Sequence, residues 1–288
     1  MARHSTRRRF DDDLEDFTVP DHSPSIPSRT ADHSSVDEPE WSTYSDAVHG
    51  PRPTPSWVIT SAGAIDTDLG VLKSGKEADV SLLRRSLGSA DTLMAVKRYR
   101  DAQHRLFHRD AGYLEGRRTR YSRENRAMDT RTAYGRQLIA GQWAAAEFAV
   151  LGRLWSAGAA VPYPVQLSGT ELMMEFIGDP DGTAAPRLAQ LQPSRTEAAD
   201  LFAQLRDVLL ALARVGYAHG DLSAYNILVD EGRLVLIDLP QAVDVVGNPQ
   251  GFAFMERDCA NVAGWFGAHG LVVDIEALSN ELRAELVR

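Results

Sequence analysis

Asp221, Asn226 and Asp238 follow the spacing D-x4-N-x11-D. The interval after Asn226 holds two hydrophobic runs, Ile227-Leu228-Val229 and Leu234-Val235-Leu236-Ile237, around Asp230-Glu231-Gly232. Two such runs about a Gly-containing turn predict a hairpin. An Asp and an Asn five apart in a loop, with a second Asp ending the next strand, bring three oxygen-bearing side chains to one mouth. Phosphoryl transfer needs such a set: one carboxylate orients the nucleophile, while an amide and a second carboxylate hold Mg²⁺. His219-Gly220-Asp221 alone would serve equally as a turn, with Asp238 a strand-end cap. The spacing and the intervening strands carry the chemical reading.

A further carboxylate lies where a helix should be apolar. Residues Leu138 to Trp155 have helical periodicity, closed by Gly158 and Pro162. With Trp143 at zero and 100° per residue, Ile139, Glu147, Val150 and Leu154 all fall within about 40° of it. Glu147 thus sits inside the apolar stripe, and burying it without a cation would be costly. The alternative is a glutamate at the stripe's edge reaching water. The expected partner is Lys97, at the end of the strand Leu93-Met94-Ala95-Val96-Lys97. The chain has 28 arginines and only three lysines, Lys73, Lys76 and Lys97, so each lysine needs its own reason. A compact ammonium on a flexible stem, held by Glu147, suits the α- and β-phosphates of a nucleotide.

Residues 70–80, GVLKSGKEADV, precede that strand. Gly70 and Gly75 have the spacing of a phosphate-binding loop, but Lys76 is followed by Glu77, so G-x4-G-K-[ST] is absent. An ordinary glycine turn is the better reading, although its N–H groups could face phosphates.

These residues need elements to position them. Val80-Ser81-Leu82 and Leu93–Lys97 read as strands about Gly88-Ser89, and Leu172-Met173-Met174 reads as a buried strand before the Gly178-Asp179-Pro180 turn. Ser194-x-x-Glu197 is a capping box opening a helix with Leu201, Phe202, Leu205, Val208, Leu209 and Leu212 at helical spacing, stopping at Gly216. Residues 251–288 read as helical. Residues 98–136 carry 11 arginines and five acidic residues, and read as a solvated loop or partly formed helix over the cleft, with RNA contact as the rival. Residues 1–56 hold seven of 14 prolines and no apolar periodicity, and are expected to be disordered. The class is α+β in two lobes, with a ligand between them.

Composition narrows the function classes. A net charge of −9 disfavours coating nucleic acid through bulk positive charge, and the single cysteine, Cys259, excludes an intrachain disulfide. No apolar run is long enough to span a membrane, and the basic start runs into Asp11-Asp12-Asp13 rather than a signal core, so a cytoplasmic protein without membrane or DNA partners is expected.

The chain resembles the RIO family of atypical serine/threonine protein kinases, in the subfamily without an N-terminal winged helix. The resemblance is carried by SGKEADV (74–80), AVKRYR (95–100), WAAAEF (143–148), MEFIG (174–178), HGDLSAYNILV (219–229), LIDLPQAV (236–243) and RDCANV (257–262). It implies a bilobed protein-kinase-like fold: a small N-lobe sheet with one helix (57–174), a hinge (175–178) and a reduced helical C-lobe (179–288). Ser74, Gly75 and Lys76 would lie over ATP, Lys97 and Glu147 at its phosphates, and the backbone of Glu175 and Ile177 at adenine. Asp221 would be the catalytic base, and Asn226 and Asp238 would hold Mg²⁺ or Mn²⁺. Asp238 could itself accept phosphate, His219 would brace the loop, and Thr119, Ser122, Thr130 and Thr132 are available for autophosphorylation. No A-P-E segment and only 50 residues follow Asp238, so the large peptide-docking lobe of ordinary protein kinases is not expected.

The resulting expectation is an ATP- and Mg²⁺-dependent serine/threonine kinase acting on a protein substrate or on itself. Two alternatives stay open: an ATPase switch that binds and releases a ribosomal or other assembly through an Asp238 phosphoryl intermediate, and a small-molecule phosphotransferase.

Overall fold

A computed structural model describes residues 40–100 and 133–287. They fall within the unit Pro39–Arg288; the preceding unit, Met1–Glu38, lies outside the described residues. The centre of the N-lobe is three ten-residue strands, β3 (Ile65–Ser74), β4 (Ala78–Leu87) and β5 (Ala90–Tyr99). With β1 (Glu40–Trp41), β2 (Val48–His49), β6 (Pro164–Ser168) and β7 (Glu171–Glu175) they form one antiparallel sheet in the order β1-β3-β4-β5-β7-β6-β2.

Alternation along β5 assigns its two faces. Met94 and Val96 are buried with Leu83, Tyr163, Val165 and Met173 on one side. Lys97 and Tyr99 point to the other, where Tyr99 joins Ala140, Trp143 and Ala144 of helix α1 (Ala133–Ser156). The face opposite α1 is covered by the strap of residues 40–64, which contributes Tyr44 and Val58 to the core. This differs from the expectation of disorder through residue 56. β1 pairs with β3 and β2 with β6, Gly50 donates its N–H to Val165 (3.2 Å), and Pro51 accepts from the Tyr163 hydroxyl (2.9 Å). Any side chain at Gly50 would collide with the Pro164 carbonyl, since a Cβ there would lie 1.9 Å from it. A buried arginine locks the strap down. Arg85 binds Asp66 through two 2.7 Å bonds and Gln166 at 3.0 Å, and Gln166 donates onward to Thr43 at 2.9 Å.

The C-lobe is built on α2 (Arg195–Arg214), which opens with the expected capping box: Ser194 N–H to Glu197 at 2.8 Å and Glu197 N–H to Ser194 Oγ at 3.3 Å. Its apolar stripe, Leu201, Leu205, Val208, Leu209 and Leu212, packs with Leu222, Ile227, Leu236 and Leu239 in the largest core cluster. The two-stranded pairs β8 (Tyr217–Ala218) with β11 (Val243–Asp244) and β9 (Ile227–Asp230) with β10 (Arg233–Leu236) lie along it, followed by α3 (Gly251–Ala268) and α4 (Ile275–Glu285). Glu231 and Gly232 both have positive φ, 49° and 81°, as a two-residue hairpin turn requires. Among the described residues no helix is long and apolar enough to cross a membrane. Of the Arg-rich segment 98–136, Arg98 and Tyr99 end β5 and residues 133–136 open α1, while 101–132, with the four candidate phosphorylation sites, lie outside the described residues.

Candidate active site

Glu147 is the node of the site. It is 1% exposed on α1, inside the stripe formed by Trp143, Val150, Leu151 and Leu154. Its Oε1 accepts from Lys97 Nζ and from the Leu239 N–H, both at 2.9 Å, and its Oε2 accepts from the Tyr99 hydroxyl. Three elements therefore converge on one carboxylate: β5, α1 and the segment after β10. Tyr99 was not singled out from the sequence, yet it stands two residues beyond Lys97, and i and i+2 share a strand face. Lys97 Nζ lies 5.2 Å from the Tyr99 ring centroid, within cation–π range.

Lys97 also donates to Asp238 Oδ1 at 2.7 Å. Burial alone would pull the lysine pKa down, but Glu147 and Asp238 outweigh it and hold the ammonium above its usual value. Burial would likewise raise the Asp238 carboxyl; Lys97, then Lys73 and His219, win and hold it low. Burial first and Glu147 second push the Tyr99 phenol well up, keeping it a neutral donor. Asp238 has φ 68°, a left-handed conformation uncommon for a residue with a side chain and often found at functional sites.

The loop beneath is positioned by the hairpin. Ile237 donates its N–H to the Asn226 carbonyl at 2.9 Å, so Asp238 begins beside Asn226. Asn226 Nδ2 donates to the Asp221 carbonyl at 2.8 Å, tying those two residues together, and the Asp221 side chain is left exposed. His219 braces this arrangement: its Nε2 lies 3.2 Å from the Ile237 carbonyl, and its Nδ1 accepts from the Asp221 N–H at 3.4 Å.

Asp258 on α3 was missed as a site residue, although RDCANV was noted. It accepts the Gly220 N–H at 2.8 Å and the Leu222 N–H at 3.0 Å, gripping the loop on both sides of Asp221. Burial raises its pKa against the pull of His219 and these two N–H groups. The signal was available, since a carboxylate among the apolar positions of a helix invites the argument used for Glu147.

The glycine turn is less committed to the cleft than the resemblance implies. The Gly75 N–H is spent on the Ala78 carbonyl (2.9 Å), and the Ser74 side chain hydrogen-bonds Asp79. Lys76 is exposed at the tip. It is Lys73 that has Asp238 and Lys97 as electrostatic neighbours. At the hinge, Glu175 donates its N–H to Tyr163 (2.9 Å) and Ile177 accepts at its carbonyl from Ala185 (3.0 Å). Ile177 is buried, and among the described residues its N–H donates to no backbone carbonyl.

The donor set suits a hard cation. Asn226 keeps its amide oxygen and Asp238 its Oδ2, neither taken by a protein donor among the described residues. No three His, Cys, Asp or Glu side chains there form an all-protein metal cage. One carboxylate and one amide oxygen, completed by substrate phosphates, is the pattern of Mg²⁺ sites.

The chain is similar to known proteins over most of its length. The RIO domain family matches residues 86–278. The RIO-type serine/threonine-protein kinase Rio1 of Haloferax volcanii is 34% identical, covering 94% of this chain and 83% of its own. Serine/threonine-protein kinase RIO1 of Caenorhabditis elegans is 32% identical over 71% of this chain, which spans only 38% of that longer protein. The fold is similar to a Chaetomium thermophilum Rio2 kinase solved as an ADP/Mg²⁺-phosphoaspartate complex, with TM-score 0.53, 20% identity, and 76% and 66% of the two chains covered.

Proposed function

This chain belongs to the RIO family, and from that membership we propose that it is an ATP-dependent serine/threonine kinase whose acceptor is a protein hydroxyl, its own included. The observation that carries the reading is the convergence of Lys97, Glu147 and Asp238 at hydrogen-bond distance, joined through the hairpin to Asn226 and Asp221. Lys97 would hold the α- and β-phosphates, with Glu147 and Tyr99 fixing its ammonium. The Ile177 N–H and the Glu175 backbone would receive adenine. Asn226 and Asp238 would hold Mg²⁺, or Mn²⁺ through the same oxygens; the ion when bound neutralises charge on the transferring phosphoryl group. Asp221 orients the acceptor hydroxyl and takes its proton as the hydroxyl oxygen bonds to the γ-phosphorus. The bond from that phosphorus to the β,γ-bridging oxygen breaks, and ADP leaves.

The test is transfer of γ-³²P from ATP. Asp221→Ala is expected to lower labelling of the chain and of a serine peptide by at least ~100-fold, with ATP binding retained by calorimetry. Equal labelling by mutant and wild type rejects the role of Asp221. Hydroxylamine then separates two products: a resistant label is phosphoserine or phosphothreonine, whereas a labile one is an acyl phosphate and directs attention to Asp238.

A further inference from the structure

Two arginines stand on either side of Asp221. Arg187, which follows the hinge turn and bridges to Leu228 of β9, donates Nη1 to the Tyr225 carbonyl at 2.9 Å. Arg257, on α3, donates Nη2 to the Gly220 carbonyl and lies 4.8 Å over the Phe254 ring. Gly220 immediately precedes Asp221, and Tyr225 immediately precedes Asn226. A carbonyl uses one of the five donors a guanidinium carries. Elsewhere on the surface Arg98, Arg100, Arg206, Arg214 and Arg283 each hold a carboxylate within 4.0 Å. Among the described residues Arg187 and Arg257 hold none, as is true of Arg52, Arg153 and Arg195; what sets these two apart is their bond to the backbone of the loop that carries Asp221. Asp258, next to Arg257, spends both oxygens on the Gly220 and Leu222 N–H groups.

Two further observations bear on the surroundings of these cations. The Tyr225 side chain, between them in the loop, is 63% exposed. Lys73 on β3 has Arg187 among its nearest charges, and burial followed by that like charge holds its ammonium below the usual lysine pKa. Arg187 and Arg257 thus bring two guanidinium groups to the loop that carries Asp221, in a chain whose net charge is −9.

We propose that this rim selects the acceptor: a serine or threonine flanked by Asp or Glu, whose carboxylates are taken up by the free forks of Arg187 and Arg257 while the hydroxyl meets Asp221. Planar guanidinium matches carboxylate geometry in two-point contacts, and opposed charge across such a rim speeds encounter and suppresses wrong partners. The inference rests on the kinase reading and adds a substrate class to it.

The test uses the full chain and three peptides sharing one central serine, flanked by Glu, Gln or Lys. The reading is the ratio of kcat/KM between peptides within each protein, which cancels any general loss of activity. Wild type is expected to favour the Glu peptide over the Gln peptide about tenfold at low salt, less as salt screens the rim. Arg187→Glu is expected to bring that ratio to one or below and to shift preference toward the Lys peptide; Arg257→Gln should lower it without reversing it. Equal use of the Glu and Gln peptides by wild type, or a ratio that salt leaves unchanged, overturns the inference and leaves the kinase reading intact. ADP release with no label in any peptide or in the chain overturns both.

Discussion

Arg85 and Lys97 are buried cations on opposite faces of one sheet, and their surroundings differ in a single respect. Arg85, 0% exposed, gives two bonds to Asp66 and one to Gln166, and Gln166 passes its amide to Thr43. Each partner is committed within the protein. Lys97 is as well paired, to Glu147 and Asp238, but Asp238 keeps an oxygen free and a side chain 35% exposed. A closed network is a fastener; an open one is a site. The presence of a buried charge does not separate the two, whereas the fate of its partner's remaining valence does.

The largest effect should come from opening the fastener. Asp66→Ala leaves Arg85 buried and unpaired, and unfolding in urea should show a loss of about 3–5 kcal/mol. Transfer per folded molecule should change less than about threefold, because the sheet face that carries Lys97 is untouched. If transfer collapses with the strap, the comparison fails. Lys97→Met should do the converse: phosphate transfer falls by about 10²–10³ in kcat, as for loss of other charge-stabilising donors. Its urea midpoint should move less than that of Asp66→Ala, since Glu147 keeps Tyr99 and the Leu239 N–H. Tyr99→Phe removes one bond to a charged group, for which a loss of about 1.5–3 kcal/mol in urea unfolding is expected.

The smallest and most specific signal is in pH. The Lys97 pKa is raised above its ordinary 10.5, so its contribution is present below that value and is lost as pH climbs through the higher folded pKa. The Asp238 pKa lies below its ordinary 3.8, so its contribution is present above that value and is lost as pH falls through the lower folded pKa. A double-mutant cycle of Lys97→Met and Asp238→Asn on stability should therefore give a coupling that is flat from about pH 5 to 9 and fades only beyond both ends. A coupling that varies near neutrality would mean the pair is not ionised as described.

Periodicity made much of this legible. The apolar stripe of α1 singled out Glu147, the capping box opened α2 at the right serine, and the hairpin brought Asp238 back to Asn226. The strap was hidden because its burial is borrowed: Pro51 and Gly50 find their partners at Tyr163 and Val165, over 100 residues on, and no local pattern announces that. The residues alone read as an ordinary glycine turn and only the resemblance put Ser74 and Gly75 over ATP; in the structure the turn's own hydrogen bonds use both. Asp258 carried the same mark as Glu147 and went unread beside a charged neighbour. Arg187 carries none, because what distinguishes it is a bond to the Tyr225 carbonyl without a carboxylate beside it, and only three-dimensional structure shows who pairs with whom.

The hydrogen bond from Leu239 to Glu147 has a spectroscopic consequence. That amide belongs to the segment that begins with Asp238, while its acceptor rides on α1. Its proton therefore exchanges with solvent only when the helix and that segment part. A single ¹⁵N-labelled leucine resonance would record, residue by residue in time, how often this enzyme disassembles its own cleft.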